Sequence, residues 1–264
     1  MTDLIQVYQE ALLGLVGNIK KRPLDHLVGF LFPLVTFFIV NYIFSLNYMA
    51  NDNIVVGVAR FIVYVVLLSF YLGVLSLILE GNSITMTSFK SSGLRILNDV
   101  WTIYFVFSLF DLFAGNLLSG GFLTIGLFLA FNPFIEMIYV DKKPAGHLLG
   151  DLASFYKTNI LHWLLPLLIY LLILVALAPS SMMAYVLVGA NPMDFAFGPA
   201  RLFSQFILEE PLVLLLSQAF HYFYLLYRGQ VYKIIAHSNP RKRAYMREYN
   251  DGLSRWTCIF NHKS

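Results

Sequence analysis

Apolar runs of about twenty residues recur along this chain, the length a helix needs to cross a hydrocarbon core of ~30 Å. Five are plain, at approximately 24–47, 54–79, 100–118, 121–140 and 160–178. A sixth, about 207–235, opens on Glu209-Glu210-Pro211 and runs apolar through Leu225. Lipid offers the backbone no hydrogen-bond partners, so such runs are read as helices that satisfy their own amides. Composition agrees: 58% of residues are hydrophobic and 12% charged, with a mean hydropathy of +0.69. A soluble domain carries about 25% charge, and no stretch of the 264 residues is long and polar enough to be one. The expected fold is an all-α integral membrane protein, with a six-helix membrane domain over 1–235 and a basic cytoplasmic tail over 236–264.

Lysine and arginine set the expected orientation. Six spans put both termini on one side, and a cytoplasmic placement gathers sixteen of the 18 basic residues there. These are Lys20, Lys21, Arg22, Lys90, Arg95, Lys142, Lys143, Lys157, Arg228, Lys233 and the six of the tail; only Arg60 and Arg201 fall outside. An excess of basic residues marks the cytoplasmic side, so both termini are expected inside. Residues 2–19 carry their basic run after the apolar residues rather than before them, unlike a cleavable signal. The single cysteine, Cys258, excludes an internal disulfide and a multi-cysteine metal cluster.

One unit recurs three times along the cytoplasmic side: an amphipathic helix, a polar or basic residue or two, then an apolar hairpin. Its apolar stripe uses Leu4, Tyr8, Ala11, Leu12, Leu15 and Ile19 in the first copy. The second uses Met86, Phe89, Leu94, Leu97 and Val100, and the third Leu148, Leu149, Leu152, Phe155 and Tyr156. Spacings of three and four place each set on one helix face. Such helices lie in the interface, apolar face down, which predicts that 2–19, 82–99 and 145–159 run parallel to the membrane. The alternative makes them cytoplasmic extensions of the spans that follow. Either way the architecture is three hairpins, each preceded by a cytoplasmic amphipathic helix.

The stretch Phe131-Asn132-Pro133-Phe134-Ile135-Glu136-Met137-Ile138-Tyr139-Val140, then His147 through Asn159 and a long apolar run, forms one pattern with the ending Tyr224-Leu225-Leu226-Tyr227-Arg228. It resembles the bacterial six-helix proteins around the membrane domain of glycerophosphodiester phosphodiesterases and their stand-alone relatives. The resemblance covers most of 1–235 and implies a fold. It implies no activity, because the phosphodiesterase chemistry of that family lies in a separate soluble domain. The opening from Arg22-Pro23 through Pro33 resembles the first span of six-helix ABC exporter permeases, the second family in view.

Enzyme signatures are missing: there is no Gly-rich phosphate loop, no Gly-x-Ser-x-Gly elbow and no His-Glu-x-x-His pair. No catalytic residue, metal site or cofactor is expected. The candidates are the polar residues within spans. Arg60 and Asp111 fall at similar depth below the outer surface, where a lone charge costs at least ~2.5–3.5 kcal/mol, so they are expected either to pair or to contact a substrate or ion. Glu136 is expected near the inner end of span four, solvated or hydrogen-bonded to an amphipathic helix. Gln218 and His221 share one face of span six, as inter-helix glue or as a proton relay. His26 and His162 are expected near the cytoplasmic ends of spans one and five with no ligand. Pro33, Pro133 and Pro166 interrupt spans one, four and five. The outer loop, 179–206, is expected to form a short interfacial or re-entrant element capping the bundle, a simple lid or a cap over a lipid-facing groove. In the tail, Arg241, Lys242 and Arg243 among aromatics form a surface for anionic phospholipid or a protein partner rather than nucleic acid.

Two functions follow as expectations. The first is a non-enzymatic polytopic protein of the bacterial cytoplasmic membrane, a lipid-interacting or accessory subunit of a membrane assembly. The alternative is a transport protein, such as the permease of an ABC-type exporter with a separate ATPase.

Overall fold

A computed structural model of the chain describes residues 2–45, 54–118, 122–177, 192–202 and 210–246 except 237 and 240, together with 249. The junction between the third and fourth expected spans at 119–121, most of the outer loop and the tail beyond 249 lie outside the described residues. All regular structure among the described residues is helical. The helices are α1 (Thr2–Lys21), α2 (Pro23–Ser45), α3 (Ile54–Glu80), α4 (Met86–Leu118), α5 (Phe122–Phe131), α6 (Phe134–Tyr139), α7 (Leu148–Leu177) and α8 (Pro211–Ile235). Short 3-10 turns occupy Ala145–His147, Pro192–Ala196 and Gly198–Leu202.

Four helical stretches among these are long and apolar enough to cross a membrane: Pro23–Val40, Val55–Glu80, Met86–Phe110 and Ala145–Leu174. They mark the chain as a multi-pass membrane protein. The expected fourth span is divided into α5 and α6 at Asn132-Pro133. The expected sixth, α8, carries Ser217, Gln218, His221, Arg228 and Gln230, which dilute its hydropathy, and it is not one of the four.

The three amphipathic units part ways. The second and third are continuous with the spans that follow, as the first turns of α4 and α7. Nothing in 86–118 removes a backbone donor, and the two prolines of the third unit and its span stand before α7 and eighteen residues into it. Helices 82–99 and 145–159 are therefore not separate interfacial elements. The face of α4 is corrected in part: Val100 is buried as expected, but Met86 is 79% and Leu94 48% exposed, and Ser92 and Ile96 are buried in their place. The reason is the α3–α4 contact, in which a Cβ on Gly73 would meet Gly93 N at 2.8 Å and one on Gly93 would meet the Phe70 ring at 2.5 Å. Small residues let two backbones approach this closely, and Ser92 Oγ donates to Gly73 O at 3.1 Å.

Helix α3 ends on a left-handed glycine. Gly81 (φ +73°) donates to Ile78 O and Asn82 N to Leu77 O, the paired bonds that close a helix C-terminus. Helices α7 and α8 run antiparallel through stacked rings, with Phe155 and Tyr232 at 5.3 Å and Tyr170 and Tyr224 at 4.0 Å between centroids.

The first unit does stand alone. Pro23 cannot donate to Ile19, and the chain changes helix between Lys21 and Pro23. Val7, Ala11 and Leu15, spaced by four, form its buried stripe. Along its length α1 meets three helices: Tyr8 OH donates to His162 O of α7 at 3.2 Å, Tyr8 lies against Tyr227 of α8, and Asn18 Nδ2 donates to Ile78 O of α3. It is a crosspiece that ties the bundle.

Candidate functional site

The polar interior is built around the division between α5 and α6. Pro133 has no N–H, so Leu129 O loses its helical donor; the Tyr156 hydroxyl of α7 donates to it instead. The carbonyl just before the proline, Asn132 O, accepts from Arg228 Nη2 at 3.2 Å. The same Nη2 lies 2.6 Å from Glu136 Oε2, with the two side chains 3% and 0% exposed. A cation at the C-terminal end of one helix segment and an anion in the first turn of the next both follow the peptide dipoles. The guanidinium also stands 4.5 Å from the centre of the Trp163 ring. Glu136 is thus neither solvated nor bonded to a surface helix, and Arg228 is not a cytoplasmic surface charge. Burying a carboxylate is feasible only with such a partner. Trp163 Nε1, Arg228 Nη1 and both polar atoms of the Asn132 amide are buried here without a protein partner.

Gln218 and His221 serve the chain segment 192–202, which enters the bundle instead of lying over it. Gln218 Oε1 accepts from Ala200 N at 2.8 Å. His221 Nδ1 lies 2.7 Å from Tyr170 OH. Gly198 packs so closely that a Cβ would meet the His221 ring at 2.2 Å, and its φ of +57° also favours glycine. Phe197 stacks on Tyr71 of α3 at 5.6 Å and meets Phe37 of α2 at 5.1 Å, while Phe195 meets His221 at 5.0 Å. Asp194 anchors the segment to α4 through Tyr104 OH at 3.0 Å and pairs internally with Arg201 at 3.0 Å. Segment 192–202 is thus packed among α2, α3, α4 and α8.

Arg60 is exposed on α3 and takes part in a contact of its own, while the Asp111 side chain lies outside the described residues.

At the expected cytoplasmic side a clasp joins three distant parts. Asp3 of α1 lies 2.7 Å from Arg243 Nη2 of a short tail helix (241–246) and 3.1 Å from His162 Nε2 of α7. Arg243 Nη1 also donates to Ser238 O at 2.9 Å, leaving the residue 5% exposed. Arg243 therefore does not face headgroups or a partner, because its planar donors are taken up internally; Arg241 and Lys242 remain exposed. His162 and His26 both have partners, His26 Nδ1 lying 3.0 Å from Tyr222 OH. Burial pushes the Tyr8 phenol well above its ordinary pKa, with Tyr227 adding to the effect, so it remains the proton donor to His162 O. Lys142, at a left-handed φ of 57°, pairs with Glu80 across the α6 and α3 ends.

Two cavities open along α7 and α8. An apolar groove of about 500 Å³ lies between α1, α7 and α8, with Leu12, Ile169 and Phe223 on its three walls. A polar cavity of about 300 Å³ is lined by Lys143, Asp151, Thr158, Asn239 and Lys242 among others. Among the described residues no three His, Cys, Asp or Glu side chains are grouped to hold a metal. The sequence pattern found Glu136, Gln218 and His221 but passed over Arg228, Asn132 and Tyr156; the signal was Arg228 itself, seven residues before the end of an apolar helix. No family model, no curated protein and no solved structure matches the chain.

Proposed function

We propose that this protein is a non-enzymatic, lipid-interacting or accessory subunit of a membrane assembly, related in fold to the six-helix membrane domain of glycerophosphodiester phosphodiesterases. The observation that carries the reading is the groove of about 500 Å³ between α1, α7 and α8. Exposed Ile5, Leu12 and Leu13 on α1 continue its apolar character, and an amphipathic crosspiece over two membrane helices leaves space for an acyl chain beneath it. In this reading α5 with α6, and α8, complete six spans as three hairpins, with both termini cytoplasmic as the basic residues indicate. Arg60 and Asp111 pair between spans two and three.

Lipid extracted from protein purified in mild detergent tests the groove. Ile169→Trp, which fills it, is expected to reduce co-purified phospholipid; unchanged retention would sink the lipid reading. For topology, cysteine placed at Asn191 is expected to react with an impermeant thiol reagent in intact cells while Cys258 stays unlabelled.

One observation favours the transport reading instead. A membrane helix divided at Asn132-Pro133 beside a buried Arg228–Glu136 pair is the kind of broken helix around which carriers build sites. An ATPase that co-purifies in stoichiometric amount would favour the exporter permease.

A further inference from the structure

The buried ion pair is made end-on. Arg228 Nη2 serves both Glu136 Oε2, at 2.6 Å, and Asn132 O, at 3.2 Å. A guanidinium and a carboxylate can pair through two parallel bonds, but the second is not made. Arg228 Nη1 and Glu136 Oε1, the other halves of the two groups, are buried without a hydrogen-bond partner among the described residues. Trp163 Nε1 and both polar atoms of the Asn132 amide share this condition. Asn132 and Glu136 are 0% exposed, Trp163 and Arg228 2%. Edge contacts to Phe155 and Tyr232, at 5.4 and 5.9 Å, hold the indole beside Arg228, its ring centre 4.5 Å from the guanidinium carbon. Five buried polar atoms left unmet would together cost an amount comparable to the net stability of a domain. Such a cluster calls for a ligand.

The atoms specify the chemistry of that ligand. Arg228 and Glu136 cancel in charge, so the pair draws neither an anion nor a cation. Arg228 Nη1 and Trp163 Nε1 only donate, a carboxylate oxygen such as Glu136 Oε1 only accepts, and the Asn132 amide does both. A ligand that meets all of them must accept and donate at once, which excludes a metal cation and a simple anion. An uncharged hydroxyl meets the requirement, and water is the smallest. Where proline breaks a membrane helix, ordered water is among the groups that take up what neighbouring helices leave unmet. We infer that the break between α5 and α6 holds an internal site for about two waters, which join Arg228 Nη1 and Trp163 Nε1 to Glu136 Oε1 and the Asn132 amide. The water adds a second link to the direct contact at 2.6 Å and makes the break a hydrated element in the core of the bundle. This site is independent of the apolar groove and of the lipid reading above.

The test uses the full chain in deuterated mild detergent, with isotope-labelled tryptophan and nuclear magnetic resonance. The chain has three tryptophans, and the indole signal lost in Trp163→Phe is that of Trp163. In the wild type, its Nε1–H is expected to show a nuclear Overhauser cross-peak at the water frequency, with the sign of a long-lived contact. Absence of that peak, with an indole proton that persists in heavy water, would overturn the site without any variant having to fold. Asn132→Leu removes both amide partners at similar volume, and most of the cross-peak intensity should go with them. A neighbouring phenol such as Tyr224 can relay exchange with solvent to the same frequency. A cross-peak unchanged in Asn132→Leu would come from that route and overturn the bridge. Thermal unfolding of the same variant gives an independent reading. If the amide is met by water, Asn132→Leu should lower Tm by several degrees; if it is unmet, its removal is a relief, and a raised Tm would overturn the proposal.

Discussion

Two prolines pose the same local problem in this chain and come to different ends. Pro133 and Pro166 each lack the N–H that would bond four residues back. A tyrosine hydroxyl supplies the missing donor in both cases, Tyr156 to Leu129 O and Tyr8 to His162 O. Yet the helix divides at Pro133, while α7 continues through Pro166 to Leu177. The difference lies in the next charged group. At Pro133 the carbonyl of Asn132 is drawn to Arg228, itself fixed by Glu136. Near Pro166 the available arginine, Arg243, is spent on Asp3 and Ser238 and touches no carbonyl of α7. Proline permits a break; a buried cation with its counter-ion decides it.

The largest expected effect breaks this comparison directly. Arg228→Met leaves Glu136 alone in the interior and is expected to cost ~3–5 kcal/mol, whereas Arg228→Met with Glu136→Leu should recover much of that. Thermal unfolding in detergent reads both, and a mild single variant would mean that proline alone makes the break. Next come the tyrosine caps. Tyr156→Phe and Tyr8→Phe each strand a carbonyl, at about 1–3 kcal/mol; a loss at one position only would end the parallel between the two prolines. Arg243 is 5% exposed and its partner Asp3 only partly so, so Arg243→Gln, which weakens hydrogen bonds to a charged group, is expected to cost ~1–3 kcal/mol. Its sharper signature is faster amide hydrogen exchange in α1, and exchange confined to the tail would show that α1 docks without the clasp. The smallest effect is at Lys142. Glycine there removes a left-handed cost of ~1–2 kcal/mol and an ion pair worth ~0–1 kcal/mol. Lys142→Gly should therefore be neutral to slightly stabilising, and a clear loss would mean that the Glu80 pair is stronger than a surface pair.

Helical period and run length made the helices legible, and the buried stripe of α1 keeps the expected Ala11 and Leu15, adds Val7 and leaves Leu12 exposed. The same period could not tell an interfacial helix from the first turns of a span. That distinction rests on where a donor is missing, as at Pro23, and on what lies opposite, as Gly73 does for Gly93. Charge counting assigned Arg228 and Arg243 to the cytoplasm because it treats each basic residue as solvated. Their carboxylate partners stand 92 and 240 residues away, beyond the reach of any local pattern. Gln218 and His221 were legible as a polar face, but the Ala200 amide bonded to Gln218 and the Phe195 ring and Gly198 packed on His221 sit in a loop that hydropathy leaves blank.

That loop has a consequence for how the molecule is put together. Segment 192–202 touches α2 through Phe37, α3 through Tyr71, α4 through Tyr104 and α8 through Gln218 and His221. Its seat does not exist until helices from both ends of the sequence have met, and α8 is made after the segment itself. Closure over such separations is slow compared with helix formation. Phe195 and Phe197 can therefore reach their native burial only once α2, α3 and α8 stand together, which ties the two ends of the sequence through one short segment.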